Sequence, residues 1–420
     1  MKISLAYGSG MLPVEFPDDC TTVIEPTNVA PLSDERATVL AALEAPIAAR
    51  PLREWITPDA KICISFSDIT RATPNERIIP WLLDYLDKIG VSRESITLIN
   101  QTGTHRSNTR AELETMLTPE VVANHRVINH ECENDEMLVQ VGKLPDGTPI
   151  RLNRYVVEAD VRIVTGFIEP HFFAGFSGGP KGIMPGTAAL ETVMYNHGAH
   201  HISSPEAAFG ITEGNPLWEN IRDIALMAGR SFVLNVTLDT QHRITGVFAG
   251  DLIEAHKHGC AFVRETAMQP VKELFDIVVT TNSGYPLDQN FYQAVKGMSA
   301  GARIVKPSGL LIIAAECREG IPVGSPFERL ARTVSDTESL LAKIQCPGFR
   351  HPEQWQSHIQ ALIQRKCRVL VYSSLDAADL RALHLEPCND IAVTVREALT
   401  PNARVAVLPY GPLTVPYLRD

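Results

Sequence analysis

Short, almost wholly apolar runs rich in β-branched residues punctuate this chain. They read KICISF (61–66), SITLIN (95–100), VRIVTG (161–166), SFVLNVTL (231–238), FDIVVT (275–280), GLLIIAA (309–315), RVLVYS (368–373) and RVAVLP (404–409). Such runs leave no polar face, so the strands they predict must be covered on both sides, as in a parallel sheet between helices. Helical patterns separate them. NERIIPWLLDYLDKIG (75–90) is one, and DLIEAHKHGCAFVRETAM (251–268), opened by Asp251 as N-cap, is another. Strands alternating with helices predict an α/β fold. At 420 residues the chain exceeds the usual span of one core. The pattern restarts near 268–275. We therefore expect two α/β domains with mainly parallel sheets, residues 1–270 and 271–420, and an active-site cleft between them.

Composition narrows the class of partner. The net charge is −11, from 38 basic and 49 acidic residues, and no basic cluster suits a nucleic acid. No apolar stretch reaches the roughly 18 residues of a membrane span. The start, MKISLAYGSGMLPVEF, reads as a strand rather than a signal peptide, which points to the cytoplasm. The 8 cysteines form no CxxC pair.

Three polar motifs directly follow predicted strands: SDITRATP (67–74), QTGTHR (101–106) and HFFAGFSGGPKGIMPG (171–186). Ligands bind at the carboxyl ends of strands in open α/β sheets, so these loops are expected to converge. The third resembles a phosphate loop but fails as one. Pro180 precedes Lys181 and removes an N–H, and Gly182 stands where a metal-binding hydroxyl should be. Either Lys181 is a solvated loop residue, or the glycines let backbone approach something closely. His197, His200 and His201 fall at i, i+3 and i+4, one face of an expected helix, as metal ligands or as a polar helix end. His105 is a candidate acid–base group. Asp68 could orient a histidine and Arg71 could grip a carboxylate, or the two could simply pair. In SGYPLDQNFYQAVKG (283–297), Tyr292, Gln293 and Lys296 lie on a predicted helix. Lys296 is there either a second cation for an acid or a lysine complementing the helix dipole.

In combination and order, SDITRATP, GTHR, HFFAGFSGGPKGIMPG, NHGAHH and YQAVKG resemble the nickel-dependent lactate racemase family and its 2-hydroxyacid racemase and epimerase relatives. Ala72 departs from it, where the family often has proline. The resemblance implies an isomerase that inverts C2 of a 2-hydroxy acid by reversible proton-coupled hydride transfer through a 2-keto acid. It also implies a nickel-pincer nucleotide, a pyridinium mononucleotide with two sulfur-bearing arms, attached covalently to Lys181 and supplied by maturation proteins. By the same resemblance His197 would be the nickel ligand, and His105 and His171 the catalytic acid–base pair. Asp68, Arg71, Tyr292, Gln293 and Lys296 would bind substrate or support the site. Two other classes stand beside this one: a metal-dependent hydrolase or lyase using the histidine cluster alone, and a non-catalytic cofactor-binding protein.

Overall fold

The structure is a computed structural model that describes every residue except Pro58, Val323 and Asp420. Its strands in chain order are β1 (Lys2–Tyr7), β2 (Gly10–Glu15), β3 (Thr21–Val23), β4 (Ile62–Ser67), β5 (Ile96–Gln101), β6 (Arg126–Asn129), β7 (Leu138–Lys143), β8 (Pro149–Asn153), β9 (Val161–Phe167), β10 (Pro170–His171), β11 (Gly175–Phe176), β12 (Ser231–Leu238) and β13 (Ile244–Asp251). There follow β14 (Met268–Val271), β15 (Phe275–Thr281), β16 (Val305–Ala314), β17 (Arg368–Tyr372), β18 (Glu386–Pro387), β19 (Val405–Leu408) and β20 (Val415–Leu418). All eight apolar runs are strands.

They build two six-stranded sheets. The first has the order β13-β12-β9-β4-β5-β6 and is parallel except for β13. The second, β18-β17-β16-β15-β19-β3, is parallel throughout. Strand β4 shows why its sequence lacks alternation. Ile62, Ile64 and Phe66 pack with Ile78, Leu82 and Leu86 of helix Asn75–Lys88 on one face. Cys63 joins Val164, Ile183 and Val233 on the other. Asp251 is not the N-cap expected of it: the helix runs Glu254–Ala267 with Ile253 at the cap position, and Asp251 instead closes the preceding turn, its Oδ1 accepting from the Ile253 and Glu254 N–H groups. Among the described residues no helix is long and apolar enough to cross a membrane.

The N-terminus lies elsewhere than a unit starting at residue 1 would put it. Strands β1 and β2 form an antiparallel hairpin on the second sheet, with Ile3, Leu5, Val14 and Phe16 packed on Ile277, Val279, Ile312 and Val407. Strand β3 then adds to the edge of that sheet beside β19. The pattern of β1 explains this. It buries Ile3 and Leu5 but exposes Lys2 and Ser4, so it can cover a sheet but cannot lie inside one.

Chain direction sets where the site can form. In the first sheet the chain winds outward from β4 through β5 to β6, then reverses to β9 and β12. In the second it winds from β15 through β16 to β18, then reverses to β19. A crevice opens at each such reversal, beyond the carboxyl ends of the strands. The loops after β4, β5 and β9 line one cleft together with the helix that follows β15.

Candidate active site

The loop after β4 carries Asp68 and the loop after β5 carries His105. Their side chains meet at 2.7 Å, Asp68 Oδ2 to His105 Nδ1. Asp68 therefore pairs with His105, and the local Asp68–Arg71 ion pair does not form. Burial alone would raise the Asp68 carboxyl, but His105, Arg71 and the Thr70 hydroxyl outweigh it and hold the group below the usual carboxylate range. With Nδ1–H engaged by an ionised carboxylate, the neutral ring presents Nε2 as an acceptor.

After β9, Pro170 and His171 pair with Gly175 and Phe176 in a two-residue hairpin, and a tight turn, Gly179–Gly182, presents Lys181. Two buried side chains fix that turn. Asn235 Oδ1 accepts from Gly179 N–H at 2.7 Å, and His256 Nε2 donates to the Ser177 carbonyl at 2.9 Å. Gly179 has φ +53°, and a Cβ there would lie 2.4 Å from His256 Cγ. The close approach that the glycines implied is, at this position, to the protein's own histidine. Gly179→Ala is expected to lower the thermal midpoint. The left-handed backbone alone costs about 1–2 kcal/mol, and the clash adds to it. A melting curve unchanged from wild type would contradict this.

Lys181 is half-buried, its remaining surface turned into the cleft, with its ammonium 5.8 Å from the Phe173 ring centre. Burial and the Arg71 guanidinium push its amine down to about 7, opposed in part by Glu169. A solvated loop lysine would show none of this.

The expected histidine face is broken. Helix Leu190–Asn196 ends at His197, Gly198 turns the chain, and a short helix, Ala199–Ile202, starts anew. His197 is buried in the cleft, edge-on to Phe173 and Trp355 at 5.0 Å each. His200 and His201 pack tilted against each other and edge-on against Tyr195, and neither lines the cleft. Among the described residues no group of three His, Cys, Asp or Glu could hold a metal, so a hydrolase built on that cluster loses its cluster. His171 stacks on Phe172 and meets Phe173 edge-on, and its Nδ1 accepts from Ala174 N–H at 3.2 Å. Its neutral form thus carries the proton on Nε2. Burial, then Lys181, Lys296 and Arg71, depress the His171 imidazole well below its ordinary value, and burial with Lys181 does the same to His197.

The opposite wall comes from helix Phe291–Ala302, which Asn290 caps through the Gln293 N–H. Lys296 sits mid-helix and buried, so it is no counter-charge to the helix end. Burial and Arg71 bring its amine down to about 7, against the pull of Glu169. Tyr292 accepts a 3.0 Å hydrogen bond from Trp355 Nε1. Asp68, Arg71, His105, His171, Lys181, His197, Tyr292, Gln293 and Lys296 all line one cleft. Arg71 Nη1, His197 Nδ1, Gln293 Oε1 and Lys296 Nζ are buried there without a hydrogen-bond partner.

Sequence reasoning missed Glu169, Trp355 and Gln356. Glu169 is a buried carboxyl, raised by its burial and facing the charges of Lys296, Arg71 and Lys181. Its signal was available: an acid at a strand end, two residues before a histidine. Trp355 and Gln356 start a helix remote from every motif, and only tertiary packing brings them to the cleft.

The halves of this chain match two family models, the lactate racemase N-terminal domain over residues 7–210 and the lactate racemase C-terminal domain over residues 271–415. The chain belongs to the lactate racemase family. It is accordingly an isomerase. The lactate racemase of Thermoanaerobacterium thermosaccharolyticum is 36% identical over 420 residues, spanning 98% of each chain. That of Lactiplantibacillus plantarum is 37% identical over 382 residues, spanning 90% of each. The structure of the lactate racemase apoprotein from Thermoanaerobacterium thermosaccharolyticum aligns over 100% of both chains, with a TM-score of 0.93 at 34% identity. A Thermotoga maritima protein, at 20% identity and TM-score 0.73, shares the lactate racemase fold.

Proposed function

We propose that this chain racemises a small 2-hydroxy acid, lactate or a close relative, at C2. A nickel-pincer nucleotide loaded on Lys181 by maturation proteins, with His197 on the nickel, completes the site in the cytoplasm. One observation carries the reading: a near-neutral amine, two separately held imidazoles and two further cations share one cleft. The residues fit such a group. Lys181 has the low basicity that acylation needs, and the free Nδ1 of His197 is a donor of the kind nickel prefers.

When bound, the nucleotide would accept and return the C2 hydride. The chain supplies the rest. Arg71 and Lys296 neutralise and orient the substrate carboxylate, and Gln293 fixes its position. His105 Nε2, turned to the cleft as an acceptor by the Asp68 bond at Nδ1, takes the hydroxyl proton of one enantiomer. His171 faces the oxygen in the other orientation. It begins as a donor through Nε2–H, and accepting a proton requires Nδ1 to give up Ala174. Aromatic rings at Phe172, Phe173, Tyr292 and Trp355 exclude water, which strengthens each charge contact.

The test is chiral chromatography of the matured protein on a panel from lactate through malate to gluconate. Conversion of at least one acid from either enantiomer is expected. Protein that carries the covalent mass increment yet converts none of them would overturn the reading.

A further inference from the structure

The loops bearing Asp68 and His105 leave adjacent strands, but beyond the strand ends no backbone hydrogen bond joins them among the described residues. What joins them is a set of three asparagines. Asn100 on β5 and Asn129 on β6 are register partners. Asn129 clamps the Asn108 backbone from both sides: its Oδ1 accepts from Asn108 N–H at 3.2 Å, and its Nδ2 donates to the Asn108 carbonyl at 2.9 Å. Asn100 Nδ2 donates to Asn129 Oδ1 at 2.9 Å and to Asn108 Oδ1 at 2.8 Å. That same Oδ1 accepts the backbone N–H of Ile69, next to Asp68, at 3.3 Å. At the far end Asn108 Nδ2 donates to Glu112, which also caps the following helix. Asn108 is buried, and so is Asn100.

From this geometry we infer that Asn108 is a positioning residue. Its amide oxygen fixes the loop of Asp68 against the loop of His105 and so sets the carboxylate–imidazole distance on which proton transfer depends. The inference rests on the racemase reading for its kinetic consequence, though not for its structural one. Only one acceptor atom is required, and it must take two incoming N–H groups inside the protein. Aspartate can do this and leucine cannot. Because Asn108 Nδ2 also donates to Glu112, every Asn108→Asp variant carries Glu112→Gln as well, so that no second carboxylate faces the new one.

Asn108→Leu is therefore expected to lower kcat about 100-fold, the scale of a displacement near 1 Å at reacting groups, with KM changed far less. Asn108→Asp keeps the oxygen and is expected to stay within about tenfold of the parent. In an Asp68→Ala background, Asn108→Leu should cause no further loss, because its effect passes through that carboxylate. A merely structural role predicts additive losses and equal damage from Leu and Asp, and either result overturns the inference. Should Asn108→Leu not fold, Asn108→Ala, which also lacks an acceptor, carries the same expectation.

An independent reading comes from the low-field proton resonance of His105 Nδ1–H, identified by its loss in Asp68→Ala and measured without cofactor. It should persist in Asn108→Asp and vanish in Asn108→Leu. If the resonance vanishes but the parent chain racemises nothing, positioning stands and the racemase reading fails. If the parent racemises and Asn108→Leu keeps both resonance and kcat, positioning fails.

Discussion

Lys181→Ala, co-expressed with the maturation proteins, is expected to carry no covalent mass increment and to have no racemase activity, while the parent chain shows both by intact mass and chiral chromatography. Attachment by acylation needs an unprotonated amine. An ordinary lysine, with a pKa near 10.4, is neutral in only about one molecule in a few thousand at pH 7. The Lys181 amine, pushed down to about 7, is neutral in about half. The sign follows from the cause: burial and Arg71 penalise the charged form, so protonation sets in only as pH falls through 7. Acylation of Lys181 in the unmatured protein by a small anhydride should therefore level off above pH 7 and fall below it. A rate still climbing tenfold per pH unit up to pH 9 would show an ordinary lysine. Lys181→Arg keeps the charge but cannot be deprotonated, and it should be as inert as alanine.

His105→Gln and His171→Gln are each expected to lower kcat by about 10²–10⁴, the range associated with losing one general acid–base group. The two losses share a thermodynamic signature. Enantiomers have equal free energy, so the equilibrium constant of a racemisation is one. Hence kcat/KM must fall by the same factor in both directions, even though in the proposed mechanism each ring serves the hydroxyl of a different enantiomer. Any asymmetry between the two starting enantiomers can appear only in kcat and KM taken separately. Progress curves from each enantiomer resolve this. A variant that keeps parental kcat/KM removes that ring from the reaction. The rings also differ at rest, since His105 offers a bare Nε2 behind the Asp68 bond and His171 offers Nε2–H behind the Ala174 bond. The two substitutions should therefore split kcat from KM differently.

Much of this was legible in the sequence because double burial leaves a mark. A strand covered on both faces has no polar positions, so β4, β5, β9, β12 and β15 stood out without any structure, and the polar loops at their carboxyl ends followed. The rest depended on contacts that leave no periodic trace. His197 separates from His200 and His201 because Gly198 breaks the helix, and a spacing of i, i+3, i+4 does not register that break. Strand β3 has three residues, too few for any pattern, and its place is decided by β19, far along the chain. Asn108 reads as one polar loop residue among several until Ile69 N–H is seen to reach its amide oxygen. Lys296 read equally well as a dipole-compensating lysine, because the length of helix Phe291–Ala302 beyond it was unknown.

The placement of β3 ties synthesis order to assembly. Residues 21–23 leave the ribosome before their partner β19, which follows almost four hundred residues later. Until then the hairpin that covers Ile277, Val279 and Val407 has nothing to cover, and afterwards β3 is the strand that pairs the edge of β19 among the described residues. A segment cut at residue 271 would present that edge and that apolar face together. The second sheet is thus one whose outer strand and lid are stored on the far side of the first sheet's whole length of chain.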